Sequence, residues 1–125
     1  MKKIIYILLC AFLVTSCQKA DNNGDLGGFW KLLKIEELNN GTTIAKHNED
    51  RFWAIQLSLI TTNVGGKGRF QHTGDSLFIQ MKEKPQDPKS FGFYNPDDEH
   101  FAVNKLTKKA MILQSDEVIL TFRKF

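Results

Sequence analysis

The sequence predicts an all-β fold, an antiparallel, eight-stranded up-and-down meander that closes into a small barrel. Short segments with alternating apolar residues follow one another through most of the chain, and none keeps a helical period. Turn signals rich in Asn, Gly and Asp separate these segments. A meander of hairpins removes its exposed edge strands best by closing on itself, so the pattern favours a barrel over an open sheet.

Eight strands are predicted from this alternation. They cover residues 28–38, 42–47, 52–61, 67–72, 76–83, 99–106, 109–114 and 117–124. Asn39-Asn40-Gly41 suits a hairpin turn between the first two, because Asn and Gly tolerate a positive φ. In the first strand the alternation slips between Leu32 and Leu33. We therefore expect a β-bulge that lets both Trp30 and Ile35 face the core.

The alternation also assigns one face of each strand to the barrel interior. The predicted inward residues are Trp53, Ile55, Leu57, Leu59, Phe70, Leu77, Ile79, Met81, Phe101, Val103, Met111, Leu113, Val118, Leu120 and Phe122. An eight-stranded barrel is just wide enough to be filled by side chains or to hold one small ligand. Few of these residues are small, so we expect a mostly packed interior, with any cavity small and near one open end.

One long connection, residues 84–98, joins the fifth and sixth predicted strands. It holds all three prolines of the chain together with Phe91, Phe93 and Tyr94. Proline lacks the N–H that a central strand needs, so the segment is predicted to be a loop. Three aromatic side chains in a loop need burial or a partner. The loop either folds over a barrel end and plugs it, or forms a lid or contact surface for a ligand.

The chain begins with the pattern of a secretory signal. Met1-Lys2-Lys3 is basic, residues 4–14 form an unbroken apolar run, and Val14-Thr15-Ser16-Cys17 ends that run. A basic start, an apolar stretch and small residues at the end are the order of a signal peptide. The apolar run is about half of the roughly 20 residues that span a bilayer, so it is too short for a membrane anchor.

The residues around Cys17 resemble the lipobox of bacterial lipoproteins. That resemblance implies diacylation of the Cys17 thiol, cleavage before Cys17 and acylation of the new amino terminus. The alternative is an ordinary signal peptide with an incidental cysteine. We expect a signal peptide over residues 1–16, a lipidated flexible tether over 17–26 and a barrel domain over 27–125. An Asp directly after the lipidated Cys resembles an inner-membrane retention signal, and this chain has Gln18 there. The predicted location is therefore the outer membrane of the cell envelope. Whether the domain faces the periplasm or the cell exterior is left open.

Charge and cysteine content exclude several functional classes. The chain has 17 Lys and Arg against 14 Asp and Glu, but two of the lysines lie in the leader, so the domain is nearly neutral. No basic stripe indicates a nucleic-acid partner. Cys10 lies in the leader and Cys17 is expected to carry lipid, which leaves no thiol for a disulfide or a metal. His47, His72 and His100 have no spacing that indicates a metal site.

No catalytic pattern is found either. Acidic clusters such as Asp97-Asp98-Glu99 lie at predicted strand ends, where charges are normally solvated. The predicted interior offers no pair of carboxylates facing each other across a cleft. No Ser has the Gly-x-Ser-x-Gly setting of a nucleophile. We therefore expect a protein that is not an enzyme and needs no cofactor.

Gly28-Phe29-Trp30, at the head of the first strand, matches the Gly-x-Trp signature of lipocalins and related calycins. The lipobox and the final segment of the chain, residues 118–125, add to this match. Taken together, these features resemble the lipocalin-like lipoproteins of Bacteroidetes. The resemblance implies a lipocalin-like barrel in which Trp30 packs across the closed end, under an Arg of the last strand. Arg123 is the candidate for that partner. Asp75-Ser76-Leu77 matches the short O-glycosylation pattern of Bacteroidetes, but a tripeptide has low specificity and a plain turn that leads into a strand is the preferred interpretation.

The resemblance also implies a function, the binding of a small apolar or amphipathic ligand near the open end of the barrel. The candidate contacts are Trp53, Phe70, Phe91, Phe93 and Tyr94. The alternative is a structural or interaction lipoprotein with a filled barrel, whose aromatic loop docks on another envelope protein. A ligand pocket should approach about 300 Å³, the lower end for small-molecule sites. Water-sized voids alone would favour the alternative.

Overall fold

Nine strands and two short 3₁₀ helices form the part of the chain that the computed structural model describes, residues 23–125. The strands are β1 (Gly28–Glu37), β2 (Thr43–Ala45), β3 (Phe52–Gln56), β4 (Leu59–Thr62), β5 (Lys67–Thr73), β6 (Ser76–Glu83), β7 (Glu99–Leu106), β8 (Ala110–Gln114) and β9 (Val118–Lys124). The 3₁₀ helices are Gly24–Leu26 and Pro88–Phe91. The predicted signal peptide and Cys17 lie outside the described residues. None of the helices within 23–125 has the length and apolar character to cross a bilayer.

The strands form one antiparallel sheet that closes when β1 pairs with β9. β2 and β3 both pair with the other edge of β1 but at different heights, β2 along residues 34–36 and β3 along residues 28–31. The result is a closed eight-stranded barrel with β2 as one extra short strand. The all-β meander predicted from the alternation is confirmed.

The bulge predicted in the first strand is present. The register of β1 against β9 shifts between Leu32 and Lys34. Trp30 and Ile35 are both buried, although they are an odd number of positions apart and a regular strand would place them on opposite faces. The extra residue brings both side chains to the interior, as the prediction required.

The prediction of a single strand over residues 52–61 is wrong. β3 ends at Gln56, and Leu57 adopts φ 56° in a tight turn before β4 begins at Leu59. Leu57 and Leu59 are therefore exposed, and Ile60 is the buried residue of β4. Leucine rarely adopts a positive φ, and Leu57 continues the apolar alternation of the residues before it. The sequence therefore gives no signal of this turn.

The core is the barrel interior. Its buried apolar side chains are Leu26, Trp30, Leu32, Ile35, Trp53, Ile55, Ile60, Leu77, Ile79, Met81, Phe91, Phe93, Phe101, Met111, Leu113, Val118, Leu120 and Phe122. Most of the predicted inward residues are in this set. Phe70 and Val103 are half-buried against it.

One end of the barrel, here called the Trp30 end, is closed by residues that precede β1. Leu26 is buried, and its carbonyl accepts a hydrogen bond from Nε1 of Trp30 at 2.7 Å. Nζ of Lys124 lies 4.7 Å from the centre of the Trp30 ring and donates to the carbonyl of Asp25 at 2.7 Å. The folded part therefore includes the first 3₁₀ helix and starts earlier than the predicted boundary at residue 27, because Leu26 fills the barrel end.

The cation over Trp30 is Lys124, so the partner role predicted for Arg123 is wrong. Phe122 is buried and faces inward, and the strand alternation then turns Arg123 outward, where it is exposed. Lys124 returns to the inward side and reaches over the indole ring, which favours a cation on its face. The alternation alone was enough to predict Lys124.

Because Trp30 seals the barrel end, we expect Trp30→Ala to lower the free energy of unfolding by roughly 3–5 kcal/mol, as large aromatic truncations in a core do. Urea denaturation followed by far-ultraviolet circular dichroism measures the change. Phe29→Ala is the matched control. Phe29 is next to Trp30 in the sequence, but its own side chain is 62% exposed, so the loss of unfolding free energy should stay below about 1 kcal/mol. A similarly small loss for Trp30→Ala would show that Trp30 does not seal the end.

Candidate functional site

The loop between β6 and β7, residues 84–98, covers the barrel end opposite to Trp30, here called the loop end. It contains the second 3₁₀ helix, Pro88–Phe91, and returns along β6, where the carbonyl of Pro96 accepts from the N–H of Met81 at 2.8 Å. Phe91 and Phe93 are fully buried in the core. The loop thus contributes two aromatic rings to the interior, as the plug interpretation of its sequence requires.

Trp53 holds these two rings. Its indole stacks on Phe93 with ring centroids 4.8 Å apart and planes 6° apart. It also contacts Phe122 and Phe101 at centroid distances of 4.5 and 6.1 Å. Its Nε1 donates to the carbonyl of Phe91 at 2.9 Å, which satisfies a buried polar group on each side. One strand residue therefore binds the loop both by stacking and by a hydrogen bond.

Gly92 lets the loop approach this closely. Its φ is 91°, and a Cβ at this position would lie 2.5 Å from Cδ1 of Leu120. Its N–H donates to the carbonyl of Lys89, and the N–H of Phe93 donates to the carbonyl of Pro88, both at 3.0 Å. Only glycine fits both the left-handed backbone and the contact with the barrel wall.

Side-chain hydrogen bonds tie the loop to the rim. The hydroxyl of Tyr94 donates to Oε2 of Glu37 at 2.9 Å, at the end of β1. Burial, and secondly this carboxylate partner, raise the pKa of Tyr94 to about 12. Nδ2 of Asn95 lies 2.8 and 2.9 Å from the two carboxylate oxygens of Glu117, just before β9. These contacts are made between side chains and not within the strand ladder, so they can break without unpairing a strand.

Glu99, the first residue of β7, carries a buried carboxylate that sequence reasoning missed. It is 1% exposed, whereas the acidic cluster to which it belongs was expected to be solvated. It accepts hydrogen bonds from the backbone N–H groups of Asn95 and Tyr94. Burial raises the pKa of Glu99 to about 6, against the opposing effect of these two bonds. No local sequence pattern signals the burial of Glu99, because it depends on how the loop over residues 84–98 folds back over the carboxylate.

The structure brings together four of the five predicted ligand contacts. Trp53, Phe91 and Phe93 form one cluster, and Tyr94 lies at the rim above it. Phe70 lies apart, near the Trp30 end, where its N–H donates to the carbonyl of Ser58 at 3.2 Å. Among the ring contacts of the described residues, none joins Phe70 to the cluster. The apolar alternation predicted correctly that Phe70 faces the barrel interior, but alternation does not give the height of a residue along the barrel axis.

The interior is filled in this conformation. Among residues 23–125, five of the concave regions have volumes of about 210 to 710 Å³, and none of these five is lined by Trp53, Phe91 or Phe93. Every buried side-chain polar atom among residues 23–125 has a hydrogen-bond partner. Within the same residues, no group of three or more His, Cys, Asp or Glu side chains could hold a metal ion.

Comparison with known proteins gives one matching family and two similar folds. A family model described as a lipocalin-like domain matches residues 11–125. A crystal structure of a lipocalin-like protein from Bacteroides uniformis ATCC 8492 is similar, with a TM-score of 0.65 and 20% identity over 82% of this chain and 100% of that one. An uncharacterized protein from Bacteroides eggerthii DSM 20697 has a TM-score of 0.63 and 18% identity over 79% and 98%. No curated protein matches. At these identities the two structures show the fold.

The raised pKa of Glu99 makes the stability depend on pH with a defined sign. The folded protein keeps this proton up to about pH 6, whereas an unfolded chain releases it near 4.5. Between these values the folded state binds more protons, so the contribution of Glu99 to the free energy of unfolding falls as pH rises. We expect the stability of the natural protein relative to Glu99→Gln to fall by about 1–2 kcal/mol from about pH 4 to about pH 7.

Urea denaturation at a series of pH values measures both proteins. The difference between them isolates Glu99 from the other carboxylates, because Gln keeps an oxygen that can accept the backbone hydrogen bonds but does not titrate. A pH profile that Glu99→Gln leaves unchanged would show that the Glu99 carboxylate is solvated.

Proposed function

Since this chain belongs to the lipocalin-like domain family, we propose that it is a lipid-anchored binding protein of the cell envelope, which takes a small apolar or amphipathic ligand at the loop end of its barrel. The family fold commonly binds small hydrophobic ligands and is typically a binding fold, not a catalytic one. The anchor is supported by the lipobox pattern that ends in Cys17, and the outer membrane by Gln18 after it.

One observation carries the ligand proposal: the interior is completed by a loop and not by the strands alone. Phe91 and Phe93 come from residues 84–98, and aromatic side chains bury about 150–250 Å² each. When the loop moves outward, the space they leave is apolar and is walled by Trp53, Phe101 and Phe122. A ligand of similar bulk can replace them there, at a cost set by the rim hydrogen bonds.

The chemistry of that space favours an apolar body with one polar acceptor. The face of Trp53 that now stacks on Phe93 becomes free for a ring or an acyl chain. Nε1 of Trp53 loses the carbonyl of Phe91 as its acceptor, and a buried donor of this kind needs a new acceptor. A carbonyl, hydroxyl or carboxylate on the ligand supplies it. Phe91, Phe93 and Tyr94 then pack over the ligand as the loop recloses.

A second function is favoured by the filled interior, because a barrel without a ligand-sized cavity is the result expected above for a structural or interaction lipoprotein, and by the quality of the packing. Gly92 fits closely against Leu120, and the buried side-chain polar groups of the described residues are all paired. These features suit a permanent plug. The protein would then be a structural or interaction lipoprotein that docks on another envelope protein through its outer surface. Ligand measurements distinguish the two functions.

The anchor is tested by metabolic labelling with radioactive palmitate in a bacterial host. Cys17→Ala removes the thiol that would carry the diacyl group, so we expect the label to be lost while the protein is still made. Gln18→Ala, at the next position, is the matched control and should keep the label. Equal labelling of Cys17→Ala and the natural protein would contradict the anchor.

The ligand proposal is tested with N-phenyl-1-naphthylamine, an apolar probe that fluoresces in apolar surroundings, on the mature chain with Cys17→Ser. Binding needs an open loop, so the apparent Kd is the intrinsic Kd divided by the open fraction. Tyr94→Phe keeps the ring but removes its hydrogen bond to Glu37, which is worth about 0.5–1.5 kcal/mol. We therefore expect the probe to bind about 2- to 10-fold more tightly to Tyr94→Phe.

Asn104→Ala is the matched control, because it removes a side-chain hydrogen bond of 2.8 Å to Gln114 that is remote from the loop. It should leave probe binding unchanged. Native mass spectrometry of the protein purified from its own host adds a direct observation, a co-purifying lipid or metabolite. Absence of probe binding to both Tyr94→Phe and the natural protein, with no bound mass, would favour the permanently filled barrel.

A further inference from the structure

The outer surface of the Trp30 end carries exposed apolar side chains. Phe29 and Phe125 are 62% and 80% exposed. Phe52 lies beside Phe125 in an edge-to-face contact, with centroids 5.3 Å apart, and the N–H of Phe125 donates to the carbonyl of Phe29 at 2.9 Å. These three rings and the exposed Leu57 are called the Phe125 patch. A cluster of exposed large apolar side chains on one face commonly marks an interaction surface.

This patch continues to the first described residue. Two shallow depressions, of about 490 and 410 Å³, share Phe29 and Ala54. The first extends to Asn23 and Leu57, and the second extends to the Phe52–Phe125 ring pair. Nδ2 of Asn23 donates to the carbonyl of Leu57 at 2.9 Å. The chain therefore enters the barrel at the edge of the patch.

The length of chain before this point restricts what the patch can face. Cys17 precedes Asn23 by six residues, and six fully extended residues span at most about 20 Å. This step rests on the proposed lipid anchor: a lipid on Cys17 keeps Asn23, and with it the Phe125 patch, within about 20 Å of the bilayer surface. The loop end lies at the far end of the barrel.

Basic side chains border the patch. Lys31 is in register with Phe52 on one neighbouring strand and with Arg123 on the other. Among the ion pairs within residues 23–125, none involves Lys31 or Arg123. Aromatic side chains favour the headgroup region of a bilayer, and basic side chains beside them favour anionic phospholipid. The aromatic and the basic side chains thus lie side by side on the face that the segment from Cys17 to Asn23 would hold near the membrane.

We propose that the Phe125 patch rests in the headgroup region of the membrane that carries the anchor, with Lys31 and Arg123 against phospholipid phosphates. The contact adds a second attachment to the lipid, since stable anchoring commonly needs two signals. It also orients the barrel, because a protein held at the Trp30 end presents its loop end to the aqueous side.

The test places a fluorescent reporter in the patch of the lipidated mature protein. Phe125→Trp, as the mature lipidated chain that begins at Cys17, is reconstituted into vesicles of phosphatidylethanolamine and phosphatidylglycerol with brominated acyl chains, which quench nearby tryptophan. The emission of the natural protein, whose Trp30 and Trp53 are both buried, is subtracted. An interfacial side chain sits about 5–10 Å into the headgroup and acyl boundary, so we expect the reporter emission to fall about twofold or more relative to unbrominated vesicles.

Phe78→Trp is the matched control, because Phe78 is 41% exposed and lies on β6, four strands away from β1 around the barrel. It should keep its emission. Arg123→Glu combined with Phe125→Trp should reduce the quenching, whereas Lys82→Glu, an exposed cation on β6, should not.

Vesicle flotation separates the two ways of failing. Protein that does not float with the vesicles lacks the anchor, and both the proposed anchor and this contact are then wrong. Protein that floats, but whose Phe125→Trp is quenched no more than Phe78→Trp, keeps the anchor and overturns the membrane contact alone. A blue-shifted but unquenched Phe125→Trp also overturns it, since the patch would then be covered by a second copy of the chain or by another protein.

Discussion

The pairing of β1 with β9 is the contact on which the rest of the structure depends, because it turns a row of hairpins into a closed barrel. β1 also pairs with β2 and β3 along its other edge, so one strand connects the first and last parts of the sheet. The bulge between Leu32 and Lys34 changes which side chains of β1 face the interior. It allows Trp30 to seal one end while Ile35, further along the same strand, still faces the interior.

Closure creates an interior that the strands do not fill by themselves. Trp53 is fully buried in it, and the space beside its indole is taken by Phe93 from the loop. The loop is in turn fitted by Gly92 and tied to the rim by Tyr94. Any ligand for this interior therefore competes with a loop that is already well packed. Affinity in such a protein depends on the cost of opening the loop as much as on contacts with the ligand.

The two ends of the barrel have different chemistry. The Trp30 end carries the chain entry, exposed aromatic rings and unpaired basic side chains among the described residues, whereas the loop end carries a buried carboxylate, Glu99, and a hydrogen-bonded rim. Under the proposed anchor, the six positions from Cys17 to Asn23 keep the first set near the membrane. Attachment and the proposed ligand entry would then occupy opposite ends of the barrel.

Features with a local cause could be predicted from the sequence alone. A strand shows its period of two in its own residues, so most of the inward residues, the bulge at Leu32 and the loop with three prolines were predicted correctly, whereas Leu57 and Leu59 were wrongly placed inside. The turn at Leu57 was missed because its positive φ opposes local preference, and the Asn23 side chain bonds to its carbonyl from a distant part of the chain. The burial of Glu99 and the absence of Phe70 from the aromatic cluster were likewise decided by tertiary structure. Alternation determines which face a side chain occupies, but its height in the barrel and its covering residues depend on contacts with segments far away in the chain.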